Sequence, residues 1–183
     1  MIDEARARRP LVAIAYGPRS VAPMQLAEAA APICDLLWVV DAELPEVAEM
    51  QTLLRQLGGV VDVPAMDPAT AAREIAPFRP DGIVTYFDTG MVEIAQLAAA
   101  LQLPFASPQA AVLLVDKLRQ RDALRAAGLT VPRYWALSST SPRNDLAAFA
   151  REVRWPAVLK PRSETGSHNQ SPALPFFETA RLP

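Results

Sequence analysis

The 183-residue sequence holds one cysteine and one histidine. Cys34 alone cannot form an intrachain disulfide, and with the single His168 it excludes multi-cysteine and poly-histidine metal sites. A reducing, cytoplasmic location fits that usage. Glycine is also scarce, at seven residues, and the turn YGPRSVAP carries only Gly17 where a dinucleotide site would want Gly-x-Gly-x-x-Gly. No apolar run approaches the about 20 residues that span a bilayer, because charge or proline interrupts each one. The opening MIDEARARRP mixes acids with arginines and does not read as a secretory signal. An excess of one charge is missing too: 18 Lys+Arg stand against 20 Asp+Glu for a net charge of -2, and only ARARR forms a block. That balance argues against nucleic-acid and membrane-surface partners.

What is present is apolar. With 51% hydrophobic and 21% charged residues, the chain carries too much apolar surface to leave in water, and a buried core is expected. Alanine (33) and proline (18) are abundant. Short apolar runs alternate with segments of helical period. LVAIAYG is followed by VAPMQLAEAAAPI, and LLWVV ends at Asp41. PEVAEMQTLLRQLGG then sets Val47, Met50, Leu53, Leu54 and Leu57 on one stripe and stops at Gly58-Gly59. VVDVPA reads as a third strand, and DPATAAREIAPF as a helix with Asp67 at the N-cap and Pro68 at its first position. GIVTYF is the strongest β-branched and aromatic run, and GMVEIAQLAAALQL offers Val92, Ala95, Leu97, Ala99 and Leu101 for packing.

Near-continuous apolar strands separated by helices predict a parallel α/β sheet of four or five strands with both faces covered. Leu11 to Ala15, Leu36 to Val40 and Gly82 to Phe87 should lie side by side and bury Ile14, Val39 and Val84. LPFASP, Leu103 to Pro108, marks a domain boundary. Beyond it the sequence predicts one long helix from Gln109 to Ala127 ended by Gly128, a strand over Val131 to Leu137, a helix from about Asn144 to Val153, and a strand from Ala157 to Arg162.

In open parallel sheets ligands gather at the carboxyl ends of the strands. Asp41 sits where a ribose-binding acid would, but without the glycines a polar strand end is the preferred reading. Asp88-Thr89-Gly90 matches an aspartic-protease triplet, yet it lies between a strand and an alanine-rich helix, so Asp88 reads as a helix cap. Cys34, beside Ile33, reads as a small core hydrophobe.

The sharper signal is lysine. Only Lys117 and Lys160 depart from a basic set that otherwise holds 16 arginines. A compact ammonium suits phosphate oxygens in a narrow site better than a flat guanidinium does. Lys160 ends the apolar run WPAVLKPR, and the next residues, RSETGSHN, offer backbone N–H groups that could cradle phosphate. The order Ser107-Pro108, Asp116-Lys117, Arg121, Leu124, Ala127-Gly128, Val131-Pro132, then Trp155-Pro156 and Val158-Leu159-Lys160-Pro161, resembles the ATP-grasp superfamily, the carboxylate-amine ligases and biotin carboxylase relatives in particular.

The resemblance implies a Rossmann-like pre-ATP-grasp domain over residues 1–107, followed by the start of an ATP-grasp domain over 108–183. The latter comprises a helical linker (108–128), a partial lid (129–169) and an atypical tail (170–183). It also implies ATP as cofactor, with Lys117 and Lys160 on its phosphates and Ser163, Thr165, Gly166 and Ser167 forming the covering loop. That loop has one glycine where the family usually has several. The implied reaction activates a small carboxylate as acyl phosphate for attack by an amine or similar nucleophile. Magnesium is expected only in a full-length relative, because no carboxylate cluster follows Lys160, and neither metal ligands nor catalytic residues are assigned here. The expectation is an N-terminal, truncated part of a ligase, inactive alone. One alternative is a non-catalytic α/β module binding a small ligand near Gly17, Asp41 and Asp88, and another is a remnant without activity.

Overall fold

The computed structural model describes residues 8–18, 20–87, 90–138, 140, 143–153, 157–159, 161–163 and 171–173. The chain divides into two compact units, Met1–Val112 and Leu113–Pro183.

In the first unit β1 (Leu11–Tyr16), β2 (Asp35–Val40), β3 (Gly59–Asp62) and β4 (Gly82–Thr85) form a parallel sheet in the order β3-β2-β1-β4. The expected α/β class and the side-by-side placement of the three apolar runs are found, with Ile14 opposite both Trp38 and Val84. Strand alternation sorts the core into two layers. Ala13, Ala15, Leu37 and Val39 face Ala71 and Ile75 of α3 (Pro68–Ile75) and Ile94, Leu97 and Ala98 of α4 (Met91–Ala100). Ile14, Tyr16, Trp38 and Val40 face Leu26 of α1 (Pro23–Ala30) and Val47 and Leu54 of α2 (Pro45–Leu57). Tyr16 meets Trp38 edge to face, with ring centroids 5.7 Å apart. The sheet is thus doubly wound, and its order turns back beside β1.

Some of the prolines start helices: α1, α2 and α3 each open on proline, whose missing N–H would be unpaired there in any case. Asp67 caps α3 as expected, accepting from the Thr70 N–H at 2.8 Å. Gly58 ends α2 where the chain runs against β2, and a Cβ there would lie 2.5 Å from the Leu36 carbonyl oxygen.

Several expectations need correction. Ile14 and Val39 are buried, but Val84 is only half-buried and Ile83 is the buried residue of β4. β4 is an edge strand, and among the described residues no further strand pairs with its outer flank. The run from Gly82 to Phe87 leaves the sheet after Thr85, and Tyr86 is exposed. In α2 only Val47 and Leu54 of the stripe are fully buried, while Met50 is exposed. On α4 the buried set is Ile94, Ala95, Leu97 and Ala98, with Ala99 outside.

The unit boundary falls within α5 (Pro108–Val115), whose first turn is capped by the Ser107 hydroxyl accepting from the Ala110 N–H at 3.1 Å. The single helix expected over Gln109 to Ala127 is two helices. Asp116 adopts extended backbone and starts α6 (Lys117–Ala126) by accepting from the Leu118 and Arg119 N–H groups. An aspartate that satisfies two unpaired amides outweighs the helical period running through it.

Val131 to Leu137 forms no strand. Pro132 lacks a donor, and the side chains anchor to helices: the Tyr134 hydroxyl donates to Asp122, Arg125 stacks 4.4 Å from the Tyr134 ring, and Trp135 packs edge-on against Phe149 of α7 (Arg143–Glu152). The last apolar run gives β5 (Ala157–Leu159), paired antiparallel with β6 (Ser171–Ala173). A strand therefore lies in what the sequence marks as an atypical tail, with Pro172 opposite Val158. A two-stranded sheet tolerates proline because both strands are edges.

Candidate functional site

The start of α6 is built around Asp116, which is mostly buried and ties two chain segments. Its carboxylate caps the helix, as above, and also receives the Arg162 guanidinium: Nε lies 2.9 Å from both oxygens and Nη2 lies 2.7 Å from Oδ2. The backbone N–H of Lys117 donates to the Arg162 carbonyl at 3.0 Å. Arg162 and the helix amides hold the Asp116 carboxyl well below the usual carboxylate range, and Asp116 in turn raises the Arg162 pKa. The result is a fixed junction between the first turn of α6 and the residues just after β5.

Lys117, half-buried, is the first residue of α6, and Ser163, exposed, follows Arg162 directly. These two sequence-predicted site residues are thus brought to one junction. Lys160, Thr165, Gly166 and Ser167 lie outside the described residues, as do His168 and Asp88, so the expected convergence of the two lysine side chains does too. Arg162 is the residue that reading by motif missed. The only sequence signal for it was an arginine two positions past the second lysine, with an acid directly before the first.

A concavity of about 370 Å³ opens in the first unit. Pro18 follows β1, Asp41 follows β2, Met66 follows β3 and Phe87 follows β4, so all four strands send a carboxyl-end residue to it. Glu93 reaches it from the first turn of α4. Asp41 is 7% exposed; its Oδ1 accepts from the Glu43 N–H at 3.0 Å and its Oδ2 from the Ala65 N–H at 2.9 Å. Ala65 and Met66 are both held at positive φ, 53° and 50°. The Phe87 ring packs closely on two glycines: a Cβ at Gly17 would come within 3.0 Å of it and one at Gly90 within 2.9 Å. Among the described residues no group of three or more His, Cys, Asp or Glu could hold a metal ion, and no helix is long and apolar enough to cross a membrane.

No family model matches the sequence, and no curated protein matches it. Solved structures do. The chain is similar to an L-amino acid ligase from Bacillus licheniformis, with a TM-score of 0.61 and 19% identity over 86% of this chain and 38% of that one. It is also similar to an N5-carboxyaminoimidazole ribonucleotide synthetase from Thermus thermophilus, with a TM-score of 0.57 and 21% identity over 83% of this chain and 38% of that one. Both are ATP-grasp enzymes, and the resemblance read from the Asp116-Lys117 and Lys160-Pro161 motifs is matched by a shared fold. The chain spans 38% of the length of each of these two structures.

Proposed function

We propose that the chain is part of an ATP-dependent ligase that activates a carboxylate as acyl phosphate for attack by an amine or similar nucleophile. Lys117 and Lys160 bind phosphate oxygens, and Ser163, Thr165, Gly166 and Ser167 form the loop that covers them. The observation that carries this reading is the junction at Asp116: the Arg162 fork and the Lys117 N–H to Arg162 carbonyl bond join the start of α6 to the chain two residues past Lys160. Lys117 and the residues that follow Lys160 in the sequence are thereby joined, which supports a phosphate site shared by the two lysines. ATP, when bound, supplies the transferable phosphoryl group. The chain's own contribution is to orient it through point charges and backbone donors, the main resources a protein brings to phosphoryl transfer. Magnesium, where it takes part, would need carboxylates beside the phosphates.

ATP affinity of the parent chain, Lys117→Ala and Lys160→Ala, compared at fixed ionic strength, tests this. Each substitution should weaken binding by roughly tenfold, the scale of one charge-assisted contact, and weaken its salt dependence. Equal affinity in all three chains would remove the phosphate site.

A further inference from the structure

We propose that the strand-end pocket of the first unit binds a small molecule that carries a primary ammonium group on an apolar body. The pocket lies where the sheet order turns back, at the position the parallel α/β architecture reserves for ligands. Its volume, about 370 Å³, falls within the range of small-molecule sites.

The lining chemistry selects the class. Leu44, Met66 and Phe87 supply apolar walls, and the charged residues among the described lining are both acids, Asp41 and Glu93. The Asp41 carboxylate accepts one backbone N–H on each oxygen, which leaves about half of a carboxylate's acceptor sites for another donor. A carboxylate this far from water gains most from a cationic donor. Helix N-termini ordinarily attract anions, and α4 starts at this pocket. Glu93 in its first turn already supplies the negative charge, however, so an anionic ligand would meet two carboxylates. Asp41 also fixes the walls, because its bond to Ala65 holds the positive-φ pair Ala65-Met66 in place. The site is contained in the first unit and does not depend on the phosphate reading of the lysines.

The test uses the isotopically labelled 183-residue chain and three probes of similar shape: phenethylamine, 3-phenylpropanoate and 3-phenylpropanol. Phenethylamine should shift the Glu43 and Ala65 amide resonances saturably, and the carboxylate probe should bind at least about tenfold more weakly. Glu93→Lys, at an exposed position, should weaken the amine about tenfold and narrow or reverse the preference. Asp41→Asn should abolish that preference, and if it unfolds the chain the Glu93→Lys comparison still decides. Absence of saturable shifts, equal affinity for the three probes, or no response to Glu93→Lys would overturn the proposal. The readout contains no nucleotide, so its failure and a failure of the ATP reading are separate results.

Discussion

Arg162 grips Asp116 with two nitrogens, Nε at 2.9 Å from each carboxylate oxygen and Nη2 at 2.7 Å from one, while the same carboxylate caps α6. The two partners contribute unequally. Asp116→Ala removes an N-cap and a charge partner together and should cost about 1–2 kcal/mol. Arg162→Ala leaves the cap and exposes a carboxylate that water can reach, for less than about 1 kcal/mol. Chemical denaturation of both single variants and the double variant measures this, and a non-zero coupling between them is expected.

The same pair makes stability sensitive to acid. A carboxyl whose folded pKa lies below its unfolded value contributes stability that is complete above the unfolded pKa of about 3.9 and is lost as pH falls through the folded one. Asp116 is shifted in that direction chiefly by the Arg162 hydrogen bonds. Asp67 and Asp81 are also lowered, by the Thr70 and Leu11 amides. Melting temperatures of the parent and Asp116→Asn should therefore differ at neutral pH and converge as pH drops below about 4. A difference that stays constant into acid would show that the pair does not titrate as described.

Close backbone approach sets a third expectation. Gly58→Ala would place a methyl 2.5 Å from the Leu36 carbonyl oxygen, a backbone atom that cannot swing away. Gly90→Ala combines φ +103° with a contact of 2.9 Å on the Phe87 ring. Each should lower stability by about 1–3 kcal/mol, the usual range for overpacking or a residue forced to positive φ. Denaturant midpoints check both, and Gly82→Ala, where a Cβ meets nothing within 4 Å, is the control.

Most of the first unit was legible because its strands bury both faces, so Leu36 to Val40 reads as one unbroken apolar run. Edge position is not encoded locally, which is why Val84 reads like Val39 yet stays half-exposed. Asp116 shows a different limit: the helical period runs straight through it, and only its competing hydrogen bonds to two amides reveal the break. Val131 to Leu137 has strand composition, but its aromatic rings find helices to pack on before any strand partner. At the candidate sites, Lys117 was visible as a rarity among arginines. Arg162, Met66 and Glu93 were not, because their roles arise from tertiary placement.

The isolated 183 residues should not turn over. The proposed phosphate ligands are two lysines, and neutralising the charge of the transferred group ordinarily also takes magnesium held by carboxylates. An ADP-release assay with amino acids and small carboxylates should read the same as a Lys160→Ala control. Magnesium-dependent ADP formation above that control would show that the activity is complete within these residues.

The central claim is that Lys117 and Lys160 share one phosphate site. They are the only lysines in the sequence, so an amine-acylating reagent followed by peptide mass spectrometry reads each separately. On titration with ATP, both lysines should become protected with the same midpoint, and adenosine at equal concentration should protect neither. Protection of one lysine alone, different midpoints, or equal protection by adenosine would contradict a shared phosphate site.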